Sequence, residues 1–120
     1  MEFTQQNANI NTIISLDESS LSLSHVKLNK PCFISSTSFK EISISNIKDI
    51  SSEFLFPLIS MDSVNLLIIG TGHSPIFLSP KQQIELSNIG LGFECMNNAS
   101  ACSSFNLLLG DLRKVGLILI

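Results

Sequence analysis

The chain predicts a single α/β domain on a mixed sheet, antiparallel in its N-terminal half and parallel over 64–120, with helices packed on the sheet. Three observations carry this. The run Val64-Asn65-Leu66-Leu67-Ile68-Ile69 is apolar on both faces, as a central parallel strand is, and it breaks at Gly70-Thr71-Gly72-His73-Ser74-Pro75. A capped helix start and a second strand follow between Ser79 and Met96. From Ile10 to Ile47, apolar and small polar residues tend to alternate, the period of half-exposed antiparallel strands, so 1–48 reads as short antiparallel strands and turns. A length of 120 residues suits one core and one domain spanning 1–120.

Leu21-Ser22-Leu23-Ser24 and Ile42-Ser43-Ile44-Ser45 show the alternation most plainly. Asn29-Lys30-Pro31 interrupts it, because the residue before a proline is driven out of the helical region, and Cys32 to Ser35 resumes as a short strand. Between Asp49 and Asp62, Ser51 or Ser52 can cap a helix with apolar positions Phe54, Leu55, Leu58 and Ile59, although Pro57 removes a backbone donor inside it.

Ser79-Pro80-Lys81-Gln82 supplies an N-cap, a proline at the first helical position and a Gln that closes a capping box, so a helix runs from about Pro80 to Asn88. Asn88-Ile89-Gly90 ends it, and Gly92-Phe93-Glu94-Cys95-Met96 reads as the next strand. Asn97 or Asn98 caps a third helix. Ala99, Cys102, Phe105, Leu108, Leu109 and Leu112 give that helix one apolar stripe, and Gly110 is expected to close it. Lys114 to Ile120 is the last strand, which right-handed crossovers join to the other two as a parallel unit. The N-terminal strands extend that sheet or pack on it.

The composition excludes several functions. A mean hydropathy of +0.37 is apolar, but the longest apolar runs fall far short of a bilayer span, so no integral membrane segment is expected. Seven basic residues scattered from Lys27 to Lys114, with a net charge of -3, leave no footprint for nucleic acid. Cys32, Cys95 and Cys102 are an odd number without disulfide spacing and read as free thiols. The first residues, Met1 to Asn7, lack the basic start and apolar stretch of a secretory or transit peptide, so a cytoplasmic location is expected. With only 14% charged residues, the surface is weakly charged enough to favour self-association.

The chemistry-bearing residues gather at strand ends. Gly70-Thr71-Gly72 suggests a dinucleotide turn, but the third glycine is missing and the next helix begins about eight residues on, so sharp turning is the better reading. His73 leaves one parallel strand at its carboxyl end, and Asn97, Asn98, Ser100 and Cys102 leave another, so they are expected to share one crevice. Cys102, placed in the first turn of its helix, would there be a candidate thiolate with His73 as proton acceptor; as a member of the apolar stripe it would instead be buried and inert. Glu94 is expected on a strand covered on both faces, where a lone charge is costly, so it needs an edge position or a partner such as Arg113. The candidate binding crevice is therefore Gly70, Thr71, Gly72, His73, Glu94, Asn98, Ser100 and Cys102, without a catalytic assignment. No Cys-x-x-Cys or paired-histidine spacing supports a metal, and no cofactor is expected.

In combination, Leu67-Ile68-Ile69-Gly70-Thr71-Gly72, Phe77-Leu78-Ser79-Pro80, Gly90 to Met96 and Ala99 to Leu108 resemble a known family. It is the small domain shared by mitochondrial complex I assembly factor 3 and the adipogenesis-associated domain protein, with uncharacterised bacterial and archaeal members. The match is good over about the last 60 residues; the first half is similar in layout and length. The resemblance implies a single α/β domain without established enzyme activity or cofactor. It also implies a role in assembling a respiratory complex, hence a protein partner such as a subunit of that complex. Members commonly carry an arginine shortly after the Gly-Thr-Gly turn and another after the helix cysteine. Here His73-Ser74-Pro75 and Ser103 stand in those places, so an anion site built on the arginines does not carry over. Eukaryotic relatives are mitochondrial. Two functions of different class follow: a non-catalytic interaction module, or a small-ligand or thiol-dependent site at the carboxyl edge of the parallel sheet.

Overall fold

A computed structural model describes residues 1–3, 9–44 and 46–120; residues 4–8 and Ser45 lie outside the described residues. Three short strands, β1 (Ser15–Leu16), β2 (Ser20–Ser22) and β3 (Lys27–Asn29), form an antiparallel meander. Two more, β4 (Cys32–Ile34) and β5 (Phe39–Glu41), join β6 (Leu66–Gly70), β7 (Gly92–Met96) and β8 (Val115–Leu119) in a five-stranded mixed sheet of order β5-β4-β8-β6-β7. The N-terminal half thus both extends the main sheet and packs on it. In its second alternating segment, Ile42 to Ile44 are not in a strand. Pairing with β4 ends at Glu41, and Ile44, Ile47 and Ile50 instead turn their side chains into the core.

The parallel unit explains where the helices lie. From β6 the chain steps outward through α2 (Pro80–Asn88) to β7, then back past β6 through α3 (Asn98–Gly110) to β8. Right-handed crossovers in opposite directions must use opposite faces. Accordingly α3 and the meander cover one face, with Phe105, Leu109, Ile68, Leu117 and Leu21 in one core. On the other face, α2 and α1 (Ser52–Ser60) enclose Phe33, Leu55, Leu67, Ile69 and Leu86.

Local chemistry sets the helix ends. Ser51 accepts from the Phe54 N–H, and α1 continues through Pro57 because Leu55 and Leu58 are buried. Tertiary burial outweighs one missing helical donor. The Ser79–Gln82 capping box opens α2, and Gly90, with φ of 73°, closes it: Gly90 N–H donates to Ser87 O and Leu91 N–H to Leu86 O. α3 ends at Gly110, as its sequence predicts, and the left-handed turn follows two residues on. Gly110 is still helical, and Leu112 takes the left-handed position with φ of 61°, while Arg113 N–H donates to Leu108 O.

Strand order decides between the two readings of Glu94, in favour of the edge position over the Arg113 pair. β7 lies at the sheet edge, so Glu94 is exposed rather than enclosed, and His73–Glu18 is the one ion pair among the described residues. Solvent meets the charge that Arg113 was expected to answer.

Candidate functional site

Neighbouring β6 and β7 send their following helices to opposite faces, which in open α/β sheets parts the loops and leaves a ligand crevice. Here the parting is stitched shut. Asn98 N–H donates to Gly72 O at 2.8 Å, and Gly72 N–H donates to Asn98 Oδ1 at 2.9 Å. Gly70 makes room for that side chain: a Cβ there would stand 2.6 Å from Asn98 Oδ1 and 2.5 Å from Leu119 Cδ2. The missing side chain at Gly70 therefore serves packing, and no phosphate cradle forms around it.

Thr71 is also engaged inside its loop. Its hydroxyl donates to Ser74 O at 2.8 Å and accepts from Ile76 N–H at 2.8 Å, fixing the exit from β6. Asn97 caps α3 by accepting from Ser100 N–H, while the Ser100 side chain is exposed.

The open space lies beside the stitch, toward the meander. A cleft of about 720 Å³ is lined by Gly72, His73, Asn97, Asn98 and Ala99 on one side and by Leu16, Asp17, Glu18 and Lys30 on the other. Its size falls within the range of small-molecule pockets, of order 300–1,000 Å³. Of the expected crevice residues, Gly72, His73 and Asn98 line it; Gly70, Thr71, Glu94, Ser100 and Cys102 do not.

Lys30 and the Asp17–Glu18 turn were not legible as site residues, because they reach the cleft only through packing of the meander. Asn29-Lys30-Pro31 gave only the signal of a chain reversal. Asp17 is committed to its turn. Its Oδ1 accepts from Ser20 Oγ, Ser20 N–H and Ser19 N–H, and these bonds, that from Ser20 Oγ foremost, hold its pKa below the ordinary carboxylate value. Between His73 Nε2 and Glu18 Oε1 the distance is 3.6 Å, with both side chains almost fully in water, where such a pair adds little stability.

Cys102 sits one turn deeper than expected, in the second turn of α3, and it is fully buried. Burial above all, with nearby Cys32 adding to it, pushes its thiol up to about 12. No thiolate forms there near neutrality, so Cys102 is a core residue and the thiol-dependent reading loses its nucleophile. Among the described residues no group of His, Cys, Asp and Glu is placed to hold a metal ion. No described helix is long and apolar enough to cross a membrane.

A family model described as a protein of unknown function, DUF498/DUF598, matches residues 13–120. Among curated proteins, none matches the chain. Several solved structures share the fold. A protein from Bordetella parapertussis is 21% identical with a TM-score of 0.81, over 96% of this chain and 98% of its own. A Mth938-like domain from Bordetella pertussis is 18% identical with a TM-score of 0.78, over 100% and 91%. One described as an outer membrane protein from Bartonella henselae is 17% identical with a TM-score of 0.79, over 92% and 93%. At these identities the likeness is one of fold.

Proposed function

We propose, from the premise that this chain belongs to the DUF498/DUF598 family of unknown function, that it is a non-catalytic protein-interaction module, similar in role to respiratory complex I assembly factor 3. One observation carries the reading: Ile76, Phe77, Ile84 and Ile89, at 54%, 69%, 63% and 43% exposure, place large apolar side chains in water along the single stretch 76–89. Exposed apolar side chains grouped in this way mark association surfaces. The polar groups at the carboxyl rim support it from the other side. Asn98, Thr71, Asn97 and Asp17 all spend their hydrogen bonds on structure, so these four hold the rim together instead of offering groups to a substrate.

The test is a photoreactive side chain at position 77, with exposed Lys27, on the meander that covers the opposite face of the sheet, as the control position, in native cell extract. A discrete adduct at 77 that excess unlabelled protein removes, and that Ile84→Ser weakens, is the expected result. Identical adducts at both positions would overturn the reading. A respiratory role further requires that the adduct contain a subunit of a respiratory complex.

The cleft favours a second reading as a small-ligand site on Gly72, His73 and Asn98, with Lys30 as its cation. Its volume and position at the carboxyl rim are the observations behind it. Binding of a small anion that Lys30→Ala abolishes, followed by chemical-shift changes at Gly72 and Ala99, would support this against the interaction module.

A further inference from the structure

We infer that the free edge of β7 accepts an extended segment of a partner protein with a basic residue at its centre, and that Glu94 keeps a second copy of this chain from taking that place. This deepens the interaction-module reading and rests on it.

The direction of the backbone groups in β7 follows from its bonds to the neighbouring segments. Gly92 N–H donates to Asn65 O, and Met96 O accepts from Thr71 N–H, so Gly92, Glu94 and Met96 direct their backbone groups toward β6. Alternation along a strand then turns the N–H and C=O of Phe93 and Cys95 outward. Among the described residues β7 is the last strand of its sheet, so these groups form an open template for one more strand. The segment 76–89 lies beside it, for Phe93 and Cys95 pack against the core that holds Leu78 and Leu86.

Specificity comes from Glu94. An incoming antiparallel strand exchanges hydrogen bonds with Phe93 and Cys95, which leaves Glu94 in the intervening pair without such bonds, where opposed side chains stand closest. Two copies of this chain can use all their outward groups only with Phe93 opposite Cys95. In that register Glu94 faces Glu94. Like charges directly opposite repel, and an inward-set charge on an edge strand is a known guard against self-pairing. A lysine or arginine opposite Glu94 turns the repulsion into attraction. Glu94 is exposed and has no ion pair among the described residues, so its charge is available.

The experiment mixes the chain with its Glu94→Lys variant and follows amide exchange at Phe93 and Cys95. The expected result is slow exchange at these two amides in the mixture only, with each protein alone exchanging fast. A peptide of alternating threonine and valine with one central lysine should protect the same amides in the parent chain, roughly fivefold more tightly than its central-glutamate counterpart. Glu94→Lys should reverse that order. Equal protection by both peptides, or none at either amide, would overturn the edge proposal. Adducts at position 77 surviving such a result would leave the interaction module standing, whereas loss of both would remove it too.

Discussion

Asn98 and Gly72 hold each other through two hydrogen bonds, backbone to backbone at 2.8 Å and backbone to side chain at 2.9 Å, across the point where the parallel sheet would otherwise open. The pairing converts a presumed ligand crevice into a structural clamp. Asn98 is buried, so an unanswered partner is costly.

Asn98→Ala removes the acceptor for Gly72 N–H and should destabilise the fold by about 1–3 kcal/mol in urea unfolding. Gly70→Ala should cost a comparable amount by overpacking, because its Cβ meets both Asn98 and Leu119. Combined, the two substitutions should cost less than their sum, since the first removes one of the clashes of the second. Strict additivity would show that Gly70 and Asn98 do not share that space.

Leu112→Gly should stabilise the chain by about 1 kcal/mol, since a leucine pays for a left-handed backbone that glycine adopts freely. The side chain removed is 89% exposed, so little packing is lost. Thermal unfolding measures it, and a lower midpoint would contradict the assignment of the α3 end.

Cysteine ionisation gives a pH signature. Burial raises Cys32 and Cys102 to about 12 from an ordinary value of 9.0, so the folded state keeps two protons that the unfolded chain releases. Stability is then unaffected below pH 9 and falls as pH rises from 9 toward 12, both thiols contributing to the slope. Cys102→Ala should flatten the slope relative to the parent chain, the lysines being common to both. In alkylation at neutral pH, half-exposed Cys95 should react before the other two.

Asp62 joins the turn after α1 to the β4–β5 turn. Its carboxylate accepts from Ser35 Oγ, Thr37 Oγ1 and Thr37 N–H at 2.5–2.9 Å. Partial burial pushes its pKa up, but these bonds outweigh that and leave it below the ordinary 3.8. The stabilisation is therefore complete above about pH 4 and lost as pH falls through the lower folded value. Asp62→Asn should cost about 1–2 kcal/mol at pH 7. That difference should shrink in acid; a difference constant down to pH 2 would rule out the carboxylate as its origin.

The readable parts of this protein are those whose cause is local. The α2 capping box, the Gly90 stop and the doubly apolar run of β6 are short-range patterns, and each element stands where its residues predict. Even α1 was legible through its cap despite Pro57. The site was not. Glu94 was readable either as an edge residue or as half of an ion pair because sequence order does not give sheet order, and Cys102 was readable either as thiolate or as core until its depth was known.

By itself the sequence determined the element types over 64–120, their parallel unit and the lack of a metal motif, because periodicity, caps and spacing act over a few residues. Tertiary structure alone decided that β7 is an edge, that Lys30 faces the rim, and that Asn98 closes it against Gly72. Those relationships join residues far apart in the chain. They depend on which crossover takes which face, and no local pattern contains that information.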